Sequence, residues 1–499
     1  MSQIRKKSLK ATIWTYIGFL IGALNTYFLT NKNWFATDQN GLTRVLIEIS
    51  QLVFAFSCLG TPSFIFKFFP YYEDNLEPKK NDLLGIAFLI SMGGFLLTAI
   101  GFYFLEPIVI RKFSANSPLL VDYYFWILPM GFFVLLYNIL EIYSFGFGKG
   151  VWASFLKETV LRIYTFTIIT LEISGVISFH TFILLFTFQY AIIFFILAFH
   201  LQSERKLLIT FSFSRVTKKF RKKIIYILVF TFFVVLVNIL RQSIDGLVLA
   251  AKQNLGKVGI FGLATYMVSL MQAPFRGLVS ITIPILSRAW KDKNLTEIQR
   301  IYQRTSINML GFSLFIFCCI WLNFDNGISV FNINPAYLEG KWVFFLLGMV
   351  TIIETGTGVN SQIIGSSSYW RFELWTSLLL TLMIIPLSYT LTTKYGILGP
   401  AFANLISFTI YNIIRIVFLW KKFKMQPFSF KTVELLFIGL LSYTASFAAT
   451  RSMAGIQAII VTLIIFIPMY VGLFYWRNIS PDVKQVLSSI QNRFTKKRD

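Results

Sequence analysis

Charge is scarce in this sequence. Asp, Glu, Lys and Arg make up only 14% of its 499 residues, where a soluble chain carries about a quarter. Too few ionic groups are present to cover a water-facing surface, so most of the chain faces another solvent. Acid is scarcer still, with 22 Asp and Glu against 46 Lys and Arg and a formal net charge of +24. In a soluble protein that balance would suggest nucleic acid. Here the basic residues stand in short clusters between apolar runs, the pattern of a membrane topology signal, and no nucleic-acid partner is expected.

Cysteine and histidine are nearly absent. Cys58, Cys318 and Cys319 each lie inside an apolar run without metal-ligand or redox spacing, and read as buried, inert thiols. His180 and His200 stand at opposite ends of one apolar run. There is no HExxH, no phosphate-binding P-loop and no GxSxG. These absences exclude the familiar hydrolytic and metal chemistries and leave no expectation of an enzyme, a metal or a cofactor. Without a P-loop the chain cannot be driven by nucleotide hydrolysis of its own. No connection is long enough to hold a soluble domain, so function must sit between helices.

What is present is apolar. Hydrophobic residues make up 56% of the chain, and the mean hydropathy is +0.67. A membrane-crossing helix needs roughly 20 mostly apolar residues. Such runs fall near 11–31, 42–66, 83–105, 119–145, 152–174, 178–199, 224–250, 258–286, 305–323, 342–366, 372–392, 397–420, 433–450 and 454–476. The first is too long for a signal-peptide core and lacks a cleavage site, so it reads as a retained helix. Continuous runs exclude barrel strands, which alternate over about ten residues. The expectation is an all-α integral membrane protein of about fourteen transmembrane helices. Of the Lys and Arg in the connections, 33 fall on the side that holds the N-terminus, with Lys157 counted there, and 8 on the other. The imbalance places both termini in the cytoplasm.

A faint parallel repeat divides the chain. Gln39-Asn40 precedes the second run and Gln253-Asn254 the eighth; at the same offset Pro70 ends the second and Pro284 lies near the end of the eighth. Six spans separate the members of each pair, so the halves are related by a pseudo-two-fold along the membrane normal. The expected organisation is a six-helix bundle over 1–200, a basic cytoplasmic linker over 201–223, and a second six-helix bundle over 224–421. Two further helices occupy 422–476, and a basic tail over 477–499 reads as a short interfacial helix.

Ionisable groups at membrane depth are costly and usually face an interior or a cavity. Arg44, Arg162, Arg241, Arg276 and Arg415 all lie within spans. Arg44 and Arg415 stand near span ends, where snorkelling to the interface accounts for them. Several polar residues share helix faces. On the seventh span these are Asn238, Arg241 and Asp245; on the eighth, Thr265, Ser269, Gln272, Arg276 and Ser280. Thr15, Gly18, Gly22 and Asn25 form such a face on the first span, and Arg44, Glu48 and Gln51 on the second. Glu158, Arg162 and Thr165 do so on the fifth, and Thr351, Glu354 and Gly358 on the tenth. Stripes on so many helices point to a shared hydrated cavity. The bland alternative is interhelical glue, because Arg44–Glu48, Glu158–Arg162 and Arg241–Asp245 are each spaced to neutralise themselves. Arg276 has no acid on its own helix and requires one elsewhere or an anionic ligand. Pro274 beside it frees a backbone carbonyl.

The stretch KYGILGPAFANLISFTIYNIIRIVFLWKKFKMQPFS (394–429) resembles the twelfth helix of Wzx-type oligosaccharide flippases. These belong to the multidrug/oligosaccharidyl-lipid/polysaccharide exporter superfamily. Pro400 stands where members carry a small residue. VGIFGLATYMVSLMQAPFRGLVSITIPILS (258–287) is similar to the family's eighth helix, and LGTPSFIFKFFP (59–70) to the end of its second. The resemblance implies a bacterial inner-membrane flippase. It would move polyprenyl-diphosphate-linked oligosaccharide to the outer leaflet by alternating access, for O-antigen, capsule or exopolysaccharide synthesis. Membrane lipids, and other polysaccharide-assembly membrane proteins, would be its partners. The family's cationic cavity implies that Arg276, Arg241, Arg162 and Arg44 meet the diphosphate, with Gln272, Asn238 and Asn25 beside them on the polar faces. Asp245, Glu354 and Glu48 are candidates for coupling to a cation. Two other readings compete: a cation-coupled multidrug antiporter of the same superfamily, and a membrane-embedded glycan polymerase or glycosyltransferase. A polymerase would carry a long outer loop, which this sequence lacks.

Overall fold

The computed structural model describes residues 2–207, 209–480 and 482, without the side chains of residues 2–13, Thr15, Tyr16, Arg276, Gly277 and Ser280. All described elements are helices. That follows from the solvent: inside a bilayer no water satisfies backbone N–H and C=O groups, and only a helix or a closed barrel satisfies them within the chain.

The chain forms two compact units, Met1–Gly259 and Ile260–Asp499. The first begins with α1 (Ser2–Thr30), α2 (Thr37–Ser57), α3 (Thr61–Asn75), α4 (Leu83–Phe113), the short α5 (Pro118–Asp122) and α6 (Ile127–Gly146). Next, α7 (Gly150–Phe155) runs through a π-helical turn (Leu156–Val160) into α8 (Leu161–Ile173). The unit continues with α9 (Phe179–Thr187), α10 (Gln189–Ser203) and α11 (Arg215–Lys252). The second unit takes over within α12 (Leu255–Lys291) and holds α13 (Leu295–Val330), α14 (Gly340–Gly356), the short α15 (Asn360–Gly365) and α16 (Trp370–Tyr395). It ends with α17 (Leu398–Phe423), α18 (Phe430–Thr450) and α19 (Gly455–Trp476).

Among the described residues, 11 helices are long and apolar enough to cross a membrane, and α2 with α3 makes up a further, bent span. The first and fifth predicted runs fall on α1, whose described apolar part is Ile17–Thr30, and on the charged segment α7–α8. Each predicted run therefore coincides with helix, and the all-α membrane fold stands. Four details differ from the expectation. The second run is two helices that meet at 53°. Leu59 (φ 45°) and Gly60 (φ 78°) take left-handed backbone there, and Pro62 opens α3. The tenth run is likewise interrupted, at Gly358 (φ 58°). The basic connection is helical from Arg215, capped by Ser214, whose hydroxyl accepts from the Thr217 amide. Pro70 lies inside α3 rather than ending it. The predicted tail helix falls, from residue 483 on, outside the described residues.

Each unit has its own core. In the first, Phe64 and Tyr72 of α3, Leu84 of α4, Tyr137 of α6, Ile193 of α10 and Val216 of α11 belong to one buried cluster. In the second, Leu286 of α12 packs with Ile298 and Tyr302 of α13, Ile363 of α15 and Leu419 of α17. Hydroxyls along the spans return to their own helix: Thr30, Thr98, Thr187 and Thr355 each donate to the carbonyl four residues before. A polar side chain is thereby satisfied without a partner helix.

Candidate functional site

Within the helices of the first unit, charged residues form three groups. In the first group, α1 approaches the π turn and α8 through a face of small residues. A side chain at Gly18 would collide with the Glu158 carbonyl, and one at Gly22 would press on the Arg162 guanidinium. Asn25, one turn on, donates to the Arg162 carbonyl at 2.9 Å. Arg162 reaches back to Glu158 at 2.9 Å and lies over the Phe19 ring, 5.0 Å from its centroid. The faces predicted on the first and fifth spans are therefore one constellation. The π turn inserts an extra residue in the helix just before Arg162, the kind of local distortion that frequently marks functional sites.

The second group joins α2 and α11. Arg44 pairs with Glu48 at 3.1 Å. The Glu48 carboxylate lies directly against Gly246, where any side chain would displace it. Asp245 acts on Glu48 electrostatically, a second carboxylate near the first. Glu48 Oε2 is buried without a hydrogen-bond partner. Ser243 extends the contact by donating to the Glu48 carbonyl at 3.4 Å. Of the two readings open for Arg44, snorkelling and an i, i+4 pair, the guanidinium takes the pair with Glu48.

The remaining residues of α11 do not join this cluster. Asn238 is exposed, and its amide donates to the Val234 carbonyl at 2.8 Å. Arg241 is half-buried and forms no ion pair with any described residue. The self-neutralising spacing with Asp245 therefore does not produce a pair, unlike the two i, i+4 pairs above.

The third group escaped the sequence reading. Lys157, counted with a connection, lies in the π turn and donates to Glu141 of α6 at 3.0 Å. Tyr137, one turn before Glu141, donates to the Ala153 carbonyl at 2.7 Å. An acid in one apolar run and a base in the next were the available signal. Sixteen residues of separation hid the pairing. Outside the spans, Lys149 and Lys206 both donate to Glu204 at the end of α10, Lys206 at 2.7 Å. The hydrogen bonds from the two ammonium groups hold the Glu204 carboxyl down at about 2.

In the second unit, Gln272 of α12 donates to Glu354 Oε2 at 3.3 Å and to Thr351 at 3.4 Å. The stripes predicted on the eighth and tenth spans meet there. Arg415, expected to snorkel, is only 2% exposed. It pairs with Glu373 of α16, donates to Thr376 at 3.3 Å, and lies 3.6 Å from the centroid of the Tyr411 ring. Glu354 also acts on Arg415 electrostatically. A guanidinium eight residues from the helix end cannot reach the interface once a carboxylate on the neighbouring helix claims it. Nearby, the Asn412 side-chain Oδ1 accepts from Thr357 at 2.8 Å and from Asn360 at 2.9 Å. The side chain of Arg276 lies outside the described residues. No group of three or more His, Cys, Asp or Glu among the described residues is arranged to hold a metal.

No protein-family model matches the chain, and no curated protein matches it in sequence. Solved structures do. A lipid II flippase, MurJ, in an inward closed conformation superposes with a TM-score of 0.74 at 15% identity, over 94% of this chain and 98% of that one. An inward-facing multidrug-resistance transporter of the MATE family, in the MOP superfamily, gives 0.61 at 13% identity over 83% and 99%. The MATE multidrug transporter DinF-BH gives 0.55 at 17% identity over 84% and 95%. At such identities the likeness is one of fold. The structural neighbours of this chain are a lipid II flippase and MATE-family transporters, over 83–94% of its length.

Proposed function

We propose that the protein is a flippase that carries a polyprenyl-diphosphate-linked oligosaccharide across the bacterial inner membrane by alternating access. The observation that carries this reading is Arg241, a half-buried guanidinium within a membrane span that has no ion-pair partner among the described residues. A diphosphate cannot cross hydrocarbon alone, and arginine offers a planar, permanently charged fork suited to phosphate oxygens. Arg241, Arg44 and Arg162 are the proposed head-group contacts of the first unit, with Asn25 fixing the Arg162 backbone and Asn238 facing the same cargo. Gln272 and Arg276 are proposed as contacts from the second. The fold likeness to a lipid II flippase over 94% of the chain supports a lipid-linked cargo. The Wzx-like stretches support an oligosaccharide for surface polysaccharide.

Glu48, Asp245 and Glu354 are the proposed coupling groups. Two carboxylates close enough to act on each other, as Glu48 and Asp245 are, form a site that can exchange a proton or a monovalent cation. Transport indifferent to both the proton gradient and sodium would remove that role.

The same acids, with the MATE likeness, favour a second reading, a cation-coupled drug antiporter. Extracting lipids from a strain lacking the protein separates the two. The flippase reading expects a polyprenyl-diphosphate oligosaccharide to accumulate and to clear on complementation. Complementation with Arg241→Ala should clear it at least about tenfold less well than Arg241→Lys, the loss of one charge-assisted phosphate contact. Absence of the precursor, with raised sensitivity to cationic dyes, would establish the antiporter instead.

A further inference from the structure

At the basic end of the first unit, α3 and the first turns of α11 enclose a pocket of about 430 Å³. Lys67, Lys222 and Lys223 stand around it, and no acidic side chain lines it. All three lysines are exposed, and none forms an ion pair with a described residue. The walls are aromatic. Phe220 sits 5.4 Å from Tyr71 and 5.8 Å from Phe68, centroid to centroid, and the Lys223 ammonium lies 5.7 Å from the Phe220 ring.

This end of α11 is held in place. Buried Asp82 accepts from the Ser214 amide and from the Thr217 hydroxyl, each at 2.7 Å. The Tyr72 hydroxyl meets Thr217 at 2.7 Å. The lysines therefore project from a clamped helix pair rather than from a loose tether. Below the pocket, α11 enters the apolar run with Tyr226, Phe230 and Phe233 exposed, so the cavity opens at the level where lipid head groups meet hydrocarbon.

We propose that this pocket binds the phosphate-bearing head group of an anionic membrane lipid. Three unneutralised ammonium groups supply the charge complement to a phosphate, and the aromatic walls accept the glycerol and upper acyl carbons. Basic pockets between membrane helices hold acidic head groups by this combination. The site is separate from the in-span arginines and does not depend on the identity of the cargo.

The test uses the full chain purified in detergent, with dioctanoyl phosphatidylglycerol, dioctanoyl phosphatidylcholine and inorganic phosphate as probes, read by native mass spectrometry. Phosphatidylglycerol should bind in preference to phosphatidylcholine. Lys67→Ala/Lys222→Ala/Lys223→Ala should weaken it at least about tenfold, since each basic residue contributes on the order of a fewfold in affinity. Arg215→Ala/Lys218→Ala/Arg221→Ala removes the same charge from exposed positions outside the pocket and should change binding less than about twofold. Unchanged melting of both variants confirms that they fold. Equal loss in the two variants would overturn the pocket in favour of diffuse surface charge. Equal binding of phosphatidylcholine would overturn anionic selectivity. Phosphate binding as tight as phosphatidylglycerol would overturn the lipid assignment in favour of a soluble phosphate.

Discussion

Arg415 illustrates what a single residue contributes. Its guanidinium is withdrawn from lipid and water together, so its stability rests on Glu373, Thr376 and the Tyr411 face. Removing one partner of such a pair leaves a buried, uncompensated charge, whereas replacing both with apolar groups is nearly neutral. Arg415→Met should therefore destabilise the protein by about 3–5 kcal/mol, and Arg415→Met/Glu373→Leu should recover most of that. Thermal melts of the two variants in detergent check it. Glu204 gives the opposite case, a half-buried carboxylate outside the spans. Its folded pKa, about 2, lies below its ordinary 4.5 because Lys149 and Lys206 favour the charged form. A depressed carboxyl adds stability above its unfolded pKa and loses it as pH falls through the folded one. The melting difference between wild type and Glu204→Gln should be constant from pH 7 to about 5 and vanish toward pH 2.

At the scale of elements, the break between α2 and α3 does the most to shape the first unit. Gly60 takes φ 78°, and a side chain there would run into the Leu228 carbonyl of α11. Thr231 of α11 donates to the Gly60 carbonyl at 3.3 Å. Gly60→Ala should cost about 1–3 kcal/mol, from strain and lost packing together. Gly101→Ala on α4, where nothing lies within 4 Å of the new carbon, should match wild type or exceed it. Apparent melting temperatures of the two variants separate a required glycine from an incidental one. The sequence carried half of this: a Gly-Thr-Pro run signals a turn. What it did not reveal is that the turn falls inside a span, because the hydropathy of the run is continuous across it.

At the scale of the whole molecule, orientation is the open quantity the sequence addresses most directly. Basic residues crowd alternate connections, and moving Lys157 into its helix removes only one of them. By the positive-inside rule we propose that both termini face the cytoplasm. A fluorescent protein fused after Asp499 should fluoresce in cells, and alkaline phosphatase fused there should be inactive. The converse result would invert every side assigned here. Such a fusion would also leave the described spans untouched, since it joins beyond Trp476, where the last of them ends.

The sequence by itself determined the class of solvent, the helical fold and the helix faces that carry polar groups, because hydropathy and the 3.6-residue period are local properties. Asn25, Glu158 and Arg162 were legible as faces, as were Arg44 and Glu48, and Gln272 and Glu354. Only the tertiary structure decided which faces meet and which charges neutralise one another. Arg415 finds Glu373 forty-two residues away and Lys157 finds Glu141 sixteen away, while Arg241 does not pair with the acid one turn along its own helix. Electrostatic pairing follows distance in space, and in a bundle of helices that distance is set by packing between turns far apart in the chain.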